Sequence, residues 1–385
     1  MIYHLFEWLS SLGIDIPGAG LMHYLSFRAM LAGGISLIVA LIAGKHLINW
    51  LRKKQIGETI RDLGLEGQMQ KIGTPTMGGL IIIAAVVVAS LLVCRLDSVY
   101  TFIMIVTTLW CGAIGFADDY IKVFKKKKEG MSERGKLILQ FGLGLFVALM
   151  MCFSTEIGTD QLVTTIPFVK AHEFDYSWLS PFKGQAGVWC SWGIYMVMII
   201  LVVLACSNGA NLTDGMDGLS AGTSAIVGVV LGIMAWLGGD AIDAKYLNIM
   251  YLPDSGEVAV YMAAFVGALL GFLWYNSFPA QVFMGDTGSL MIGGVIGVSA
   301  VLLRKELLLP LLCGIFLAEA GSVLIQRSWF KYTRKKYGQG RRFFLMAPLH
   351  HHYQKKGIPE PRIVSRFRIT GIILAVSTLA LMKIR

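Results

Sequence analysis

Ten stretches of this 385-residue chain are apolar for about the length a helix needs to cross a bilayer, and nothing else in the sequence limits the fold so severely. They lie near 28–49, 77–95, 99–117, 136–153, 189–207, 219–238, 258–275, 287–303, 307–326 and 366–383. Lipid offers no water to pair with free peptide groups, so a spanning segment is either a helix or part of a closed barrel. These segments are too long and too evenly apolar for barrel strands. Composition agrees: 55% of residues are apolar or aromatic and only 15% are charged, where soluble domains carry about a quarter. A soluble enzyme, a disordered protein and a coiled coil are excluded on those grounds. The expectation is an all-α polytopic membrane protein of about ten transmembrane helices, one domain over 1–385, embedded in a lipid bilayer. No internal repeat is apparent. The six cysteines are scattered without a CxxC pair and read as packing residues. Residues 1–20 hold Glu7 and Asp15 but no Lys or Arg, so the first apolar run reads as a retained anchor, preceded by a short interfacial helix.

The net charge of +10 could suggest nucleic acid, but its distribution suggests loops on one side of a membrane, and no nucleic-acid partner is expected. If the first span runs from outside to inside, the inner loops are 51–76, 118–136, 208–218, 276–286 and 327–365. Counted to Arg368, they hold 24 of the 34 lysines and arginines, against nine in outer segments and Lys45 within a span. This bias puts both termini outside. The long outer loop 154–188 has Thr-Thr-Ile and Phe-Val patches that could pair as a hairpin.

In this orientation the unusual polar sequence gathers on the cytoplasmic face. It comprises Lys71-Ile-Gly-Thr-Pro-Thr-Met-Gly-Gly79, Asp118-Asp-Tyr-Ile-Lys122, Asn208-Gly-Ala-Asn-Leu-Thr-Asp-Gly-Met-Asp-Gly218, the segment from Asn276 through Phe283 and Asp286 to Ser289, and His350-His-His352. Polar groups at span ends are costly without partners, so a shared site is the default reading. The loops at Lys71, Asn208 and Asn276 each precede a helix starting at that face, where free N–H groups suit phosphate. Asp118 and Asp119 stand at a helix C-terminus, whose partial negative charge calls for a compensating cation or a shared proton. The inventory describes a phosphate-rich substrate held by lysines and helix starts, with a divalent cation between phosphate and aspartate.

Each piece has a plainer alternative. The Asp118-Asp119 pair could be an interfacial stop, and Asp214, Asp217 and Asp286 could be helix caps. Lys125 to Lys128 read as a solvated run facing anionic lipid, while Lys122 and Lys136 are the better phosphate ligands. The three histidines could be loop filler or a metal patch, and Phe283 apolar filler or a base-stacking ring.

Taken together the motifs resemble the polyprenyl-phosphate N-acetylhexosamine-1-phosphate transferases. Ala-Asp-Asp-Tyr-Ile-Lys, Asn-Leu-Thr-Asp-Gly-Met-Asp-Gly-Leu and Phe-Met-Gly-Asp-Thr-Gly-Ser-Leu carry the wider likeness. Gly-Thr-Pro-Thr-Met-Gly-Gly and Ala-Pro-Leu-His-His-His-Tyr point to its muramoyl-pentapeptide branch. The resemblance implies a ten-helix enzyme of peptidoglycan synthesis that joins UDP-N-acetylmuramoyl-pentapeptide to undecaprenyl phosphate with Mg²⁺, releasing UMP. It implies that Asp118 and Asp119 lie near the lipid phosphate and that Asp286 is the magnesium ligand. Lys71, Thr76, Asn211, Asp214, Asp217, Asn276 and Phe283 match nucleotide-sugar positions, with Phe283 the uracil-stacking ring. His350, His351 and His352 match the histidine motif at the diphosphate, His350 being counted with the catalytic residues. Lys136 is matched by its offset from Gly130.

The chemistry brings two phosphate groups together, so a cation on Asp286 with lysine and histidine donors is suitable equipment. Asp118 or Asp119 could take a proton from the lipid phosphate or could itself be the nucleophile; the residues leave both open. A sister transferase using UDP-N-acetylglucosamine is the nearest rival. A transporter would place its acids in mid-span, and an aromatic prenyltransferase would need a further Asp at helical spacing. A homodimer is one arrangement the sequence leaves open.

The charge bias generates a test. A cysteine introduced as Leu345→Cys should resist impermeant thiol reagents in intact cells and react once the membrane is opened. Labelling from outside would overturn the orientation.

Overall fold

A computed structural model describes residues 1–13, 18–54, 71, 73–125, 127, 129–154, 162–166 and 173–382. In chain order it has helices α1 (Ile2–Ser11), α2 (Leu25–Lys53), α3 (Gly79–Val93), α4 (Val99–Val123) and α5 (Glu133–Phe153). An antiparallel hairpin follows, β1 (Val163–Thr165) against β2 (Glu173–Asp175), with Thr164 opposite Phe174. Then come α6 (Gly184–Thr213), α7 (Leu219–Gly239), α8 (Ala241–Leu247), α9 (Gly256–Asn276), α10 (Gly285–Leu302), α11 (Leu309–Leu312), α12 (Gly314–Tyr337), α13 (Leu349–Lys355) and α14 (Glu360–Leu381).

Among the described residues eight helices are long and apolar enough to cross a membrane, and a bent pair could make a ninth. The expected single span at 307–326 is in fact two helical pieces meeting at 77°. Pro310 has no N–H and sits in the first turn of α11, and Cys313 leaves helical geometry, so the chain restarts at Gly314. The expected span at 77–95 is shortened to the 15 residues of α3. The residues before it are held against the start of α10: Gly78 N and Gly79 N donate to the carbonyls of Phe283 and Met284 (2.8 and 2.9 Å), and Phe283 N donates to Pro75 O (2.8 Å). The expected loop at Asn208–Thr213 is the last part of α6. Its polar side chains stay helical because they find partners, Asn208 on Gln140 and Thr213 on the Gly209 carbonyl. Of the expected hairpin, Thr164 and Thr165 are in β1, while Phe168 and Val169 lie outside the described residues, as do Asp15, Lys126 and Lys128. At the N-terminus α1 forms as expected, burying Tyr3 while Leu5 and Trp8 stay exposed.

The centre of the bundle is α10, in which every residue from Thr287 to Leu302 is buried. A helix apolar on all sides belongs inside other helices. It packs on α4 and α6, while α9 packs on α2 and α7. Small residues let these backbones approach, since inside a bilayer association rests on close packing. Gly115 of α4 is among the tightest cases: a Cβ there would lie 2.1 Å from the Asp286 carbonyl oxygen and 2.5 Å from Thr287 Cα.

Those atoms are backbone and cannot swing aside. Gly115→Val should therefore cost at least about 3 kcal/mol, the upper end of ordinary overpacking, and lower the melting temperature in detergent together with activity. Gly193→Ala, where nothing lies within 4 Å, is the control and should be silent. A silent Gly115→Val would refute the α4–α10 contact.

Candidate active site

The start of α10 is built around its buried neighbour Asp119. The Asp119 carboxylate accepts from Asp286 N (3.1 Å), Thr287 N (2.9 Å) and Thr287 Oγ1 (2.6 Å). A helix start offers free N–H groups and partial positive charge, so an acidic group from α4 satisfies both. Gly285 makes the approach possible. Its φ is +71°, and a Cβ would come within 2.5 Å of Asp119 Oδ2 and 3.1 Å of Thr76 Oγ1.

One residue earlier, Asp118 points elsewhere, as the 100° step of a helix requires. Its Oδ1 accepts from Met131 N (2.6 Å) and lies 3.0 Å from Lys136 Nζ, and its Oδ2 is 2.6 Å from Lys122 Nζ one turn on. Both ammoniums also reach Asp286 Oδ2, Lys136 at 2.6 Å and Lys122 at 3.1 Å. Two carboxylates and two lysines thus alternate in a four-membered charge cluster drawn from α4, α5 and α10. Asn211 of α6 completes it, donating to Asp286 Oδ1 (3.0 Å) and Ser289 Oγ (2.9 Å). Asp118, Asp119 and Asp286 each offer one oxygen, all within 4.8 Å of one another. An all-oxygen donor set of this kind fits a hard divalent cation that takes its remaining ligands from substrate or water. Asp119 is spent on the start of α10, whereas Asp118 and Asp286 pair chiefly with lysine ammoniums that a phosphate could draw away, so those two are the donors that substrate can release.

A second group adjoins the first through the 74–79 and 283–286 segments. Lys71 Nζ lies 2.6 Å from Asp217 Oδ1 and 2.6 Å from Glu360 Oε1, and 5.9 Å from the centre of the half-buried Phe283 ring. Asp217 Oδ2 accepts from Ala280 N (3.0 Å), and Asn276 spends both ends of its amide on the loops, accepting from Gly218 N and donating to Val282 O. Asp217 and Asn276 therefore hold the loop geometry. Asp214 ends α6 half-buried beside Gly215, and Gly215 is the floor for His350: a Cβ there would lie 2.1 Å from His350 Nε2.

His350 is buried on α13 with Nδ1 3.1 Å from Glu319 Oε2, and its Nε2 has no hydrogen-bond partner among the described residues. His351 Nδ1 lies 3.2 Å from Gln354 Oε1. Burial and the neighbouring His350 push the His351 imidazole down to about 4 from its ordinary 6.5. His352 does not join the group: it turns to the 342–345 segment, accepting from Leu345 N (3.1 Å). Thr76 is buried beside the α10 start. Of the fifteen residues singled out from sequence, all but His352 are thus linked by contacts or near contacts at one end of the bundle.

Three residues of this region carried no sequence signal. Glu319 orients His350, and Glu360 bridges Lys71 to Asp217 N (2.8 Å). Gln140 is buried one turn beyond Lys136; its Nε2 donates to Ser207 Oγ, its Oε1 accepts from Asn208, and Ser207 Oγ donates to Leu290 O. That clamp ties α5, α6 and α10 together one turn below Lys136, Asn211 and Asp286. A buried, satisfied network of this kind fixes geometry, and removing one member leaves orphaned groups. Motif reading could find none of the three, because each is a lone residue whose partner is distant in sequence.

Residues 101–304 match the family described as glycosyl transferase family 4. Over the full length of both chains, the phospho-N-acetylmuramoyl-pentapeptide-transferase of Parabacteroides distasonis is 51% identical. The like-named proteins of Flavobacterium psychrophilum and Bacteroides thetaiotaomicron are 52% and 45% identical, again over 100% of each chain.

Two outcomes follow from the geometry. Asp118→Asn should reduce turnover at least about tenfold more than Asp119→Asn, roughly 1.4 kcal/mol of barrier, while Asp119→Asn should cost more stability, about 1–2 kcal/mol as for a lost cap. Equal effects on both measures would contradict the division. For His351 the fold favours the neutral ring, so its contribution is complete above pH 6.5 and is lost as pH falls through about 4. His351→Gln should flatten the fall in melting temperature across that window; an unchanged slope would show the ring to be solvated.

Proposed function

The chain belongs to glycosyl transferase family 4 and, within it, to the phospho-N-acetylmuramoyl-pentapeptide-transferases, and from that membership we infer its reaction. It transfers phospho-N-acetylmuramoyl-pentapeptide from UDP-N-acetylmuramoyl-pentapeptide to undecaprenyl phosphate, giving lipid I and UMP, the first membrane step of peptidoglycan synthesis. The observation that carries this is identity near 50% over the entire length of relatives bearing that name. The site has the chemistry the reaction asks for, since positive and negative groups are interleaved where two phosphates must meet.

In this reading an oxygen of the lipid phosphate forms a bond to the sugar-proximal phosphorus, and the bond from that phosphorus to the UMP oxygen breaks. Lys122 and Lys136 exchange their carboxylate partners for phosphate oxygens as the substrates arrive, and the charge they bring is already in place. The buried, unpartnered Nε2 of His350 is the donor this reading assigns to the diphosphate, with Glu319 holding the ring. Lys71 beside the Phe283 ring suits a nucleotide, the ring for the base and the ammonium for charge. Asp118 accepts the lipid-phosphate proton in that direct displacement; in the two-step alternative its carboxylate bonds to the sugar-proximal phosphorus as the bond to UMP breaks, and the lipid phosphate oxygen then displaces the carboxylate from that phosphorus. A Mg²⁺ held by Asp286, with Asp118 near by, would neutralise charge developing on the phosphates. The wider reading is one membrane domain in the bacterial inner membrane, with this end of the bundle on the cytoplasmic side.

The test is an assay in detergent with undecaprenyl phosphate and either UDP-N-acetylmuramoyl-pentapeptide or UDP-N-acetylglucosamine, following UMP. UMP release should require the muramoyl donor and a divalent cation; turnover of the glucosamine donor alone would select the sister activity. Asp286→Ala should lower the rate at least about 100-fold, as when a preorganised electrostatic group is lost, in a protein that still extracts and folds. Near-normal turnover at saturating Mg²⁺ would remove Asp286 from the cation site.

A further inference from the structure

A cavity of about 540 Å³ beyond α13 takes no part in the site described so far. Its walls include Arg342, Phe343, Phe344, His352, Lys355 and Lys356. Three are permanent cations, and no carboxylate is among the lining residues. His352 adds a neutral donor: Leu345 N donates to its Nδ1, which leaves the proton on Nε2. Two phenylalanines supply apolar surface. Phe344 stacks edge-on against His352 at 5.6 Å, and Gln326 Oε1 pins the segment by accepting from Phe343 N and Phe344 N (3.1 and 2.8 Å). The cavity thus presents side-chain donors and positive charge beside an apolar wall, on a backbone held in place. Such a host suits a peptide bearing carboxylate.

Its position bears on which peptide. The seven-residue α13 presents His350 to Gly215 and Glu319, while His352, Lys355 and the following Lys356 line the cavity. His351, between them in sequence, lies within electrostatic reach of both Lys71 and Lys355. At 1.5 Å per residue, the two ends of α13 are only about 10 Å apart. A molecule with its diphosphate at His350 therefore has the cavity within reach of whatever it carries beyond the sugar.

We propose that this cavity is the subsite for the peptide of the donor, with Arg342, Lys355 and Lys356 meeting peptide carboxylate, the C-terminal one included, and Phe343 and Phe344 its side chains. The proposal rests on the muramoyl-pentapeptide donor assigned above. It makes Arg342 and Lys356 specificity-determining residues outside the reacting centre, and it gives α13 two duties, phosphate on one side and peptide on the other.

The test is isothermal titration of the purified full chain in detergent, with UDP-N-acetylmuramoyl-pentapeptide and with UDP-N-acetylmuramic acid lacking the peptide. Wild type should bind the pentapeptide donor at least about tenfold more tightly, an advantage of the size charge-assisted contacts supply. The double variant Arg342→Gln, Lys356→Gln should lose that advantage and bind the peptide-free donor as wild type does. The charge-keeping pair Arg342→Lys, Lys356→Arg should retain most of it, and melting curves confirm that both variants fold. A preserved advantage in the folded double variant would overturn the proposal. So would an equal loss for both donors, which would assign the cations to the nucleotide half, or a loss that appears only when anionic lipid is present, which would assign the cavity to a lipid headgroup. If wild type binds neither donor, the assignment of the donor itself fails, an outcome distinct from each of these.

Discussion

Everything at the working end of this protein depends on the alternation of Asp118 and Asp286 with Lys122 and Lys136. Carboxylates at the end of an apolar helix are costly alone, and in Asp118 and Asp286 the cost is offset by two ammoniums rather than by water. Each lysine keeps a second carboxylate if the first is lost, so the cluster ties the ends of α4, α5 and α10 together through shared rather than single partners. The remaining architecture serves that cluster. Asp119 caps α10 and so sets where Asp286 stands, Gly115 lets α4 come close enough for the cap, and the Gln140 clamp sets the spacing one turn below. The arrangement is also incomplete by design: its charges are balanced internally, yet they are the same charges that two phosphates and a cation would exchange among themselves.

Much of this was legible in the sequence because membranes simplify the problem. Length and apolarity alone locate the long helices, and the polar motifs stand out against them. That Asp118 and Asp119 face different ways follows from the helical step alone, and the structure sends one to lysines and the other to a helix start. What failed were inferences about local state. Asn208 and Asn211 look like loop residues, since Asn and Gly are poor helix formers. Partners on α5 and α10 override that propensity and extend α6 to Thr213. The stretch at 307–326 looks like one span because apolar content does not register the break at Cys313 and Gly314.

Glu319, Glu360 and Gln140 were illegible for a different reason. Each is a single polar residue whose purpose lies in a contact far along the chain, 31 positions to His350 for Glu319, 289 to Lys71 for Glu360 and 68 to Asn208 for the Gln140 carbonyl. Sequence pattern carries no information on such pairs without the fold. The converse holds for His352, which pattern groups with its two neighbours and the fold sends to a different cavity.

The central claim is that the lysine–aspartate cluster acts as one unit in turnover. A double-mutant cycle with Lys136→Met and Asp286→Asn, read as UMP release at saturating substrates, tests it most directly. Groups that work together lose their effect together, so the double variant should be no slower than the slower single variant. If instead the two losses multiply, each residue acts independently, and the cluster would be four neighbours rather than one device.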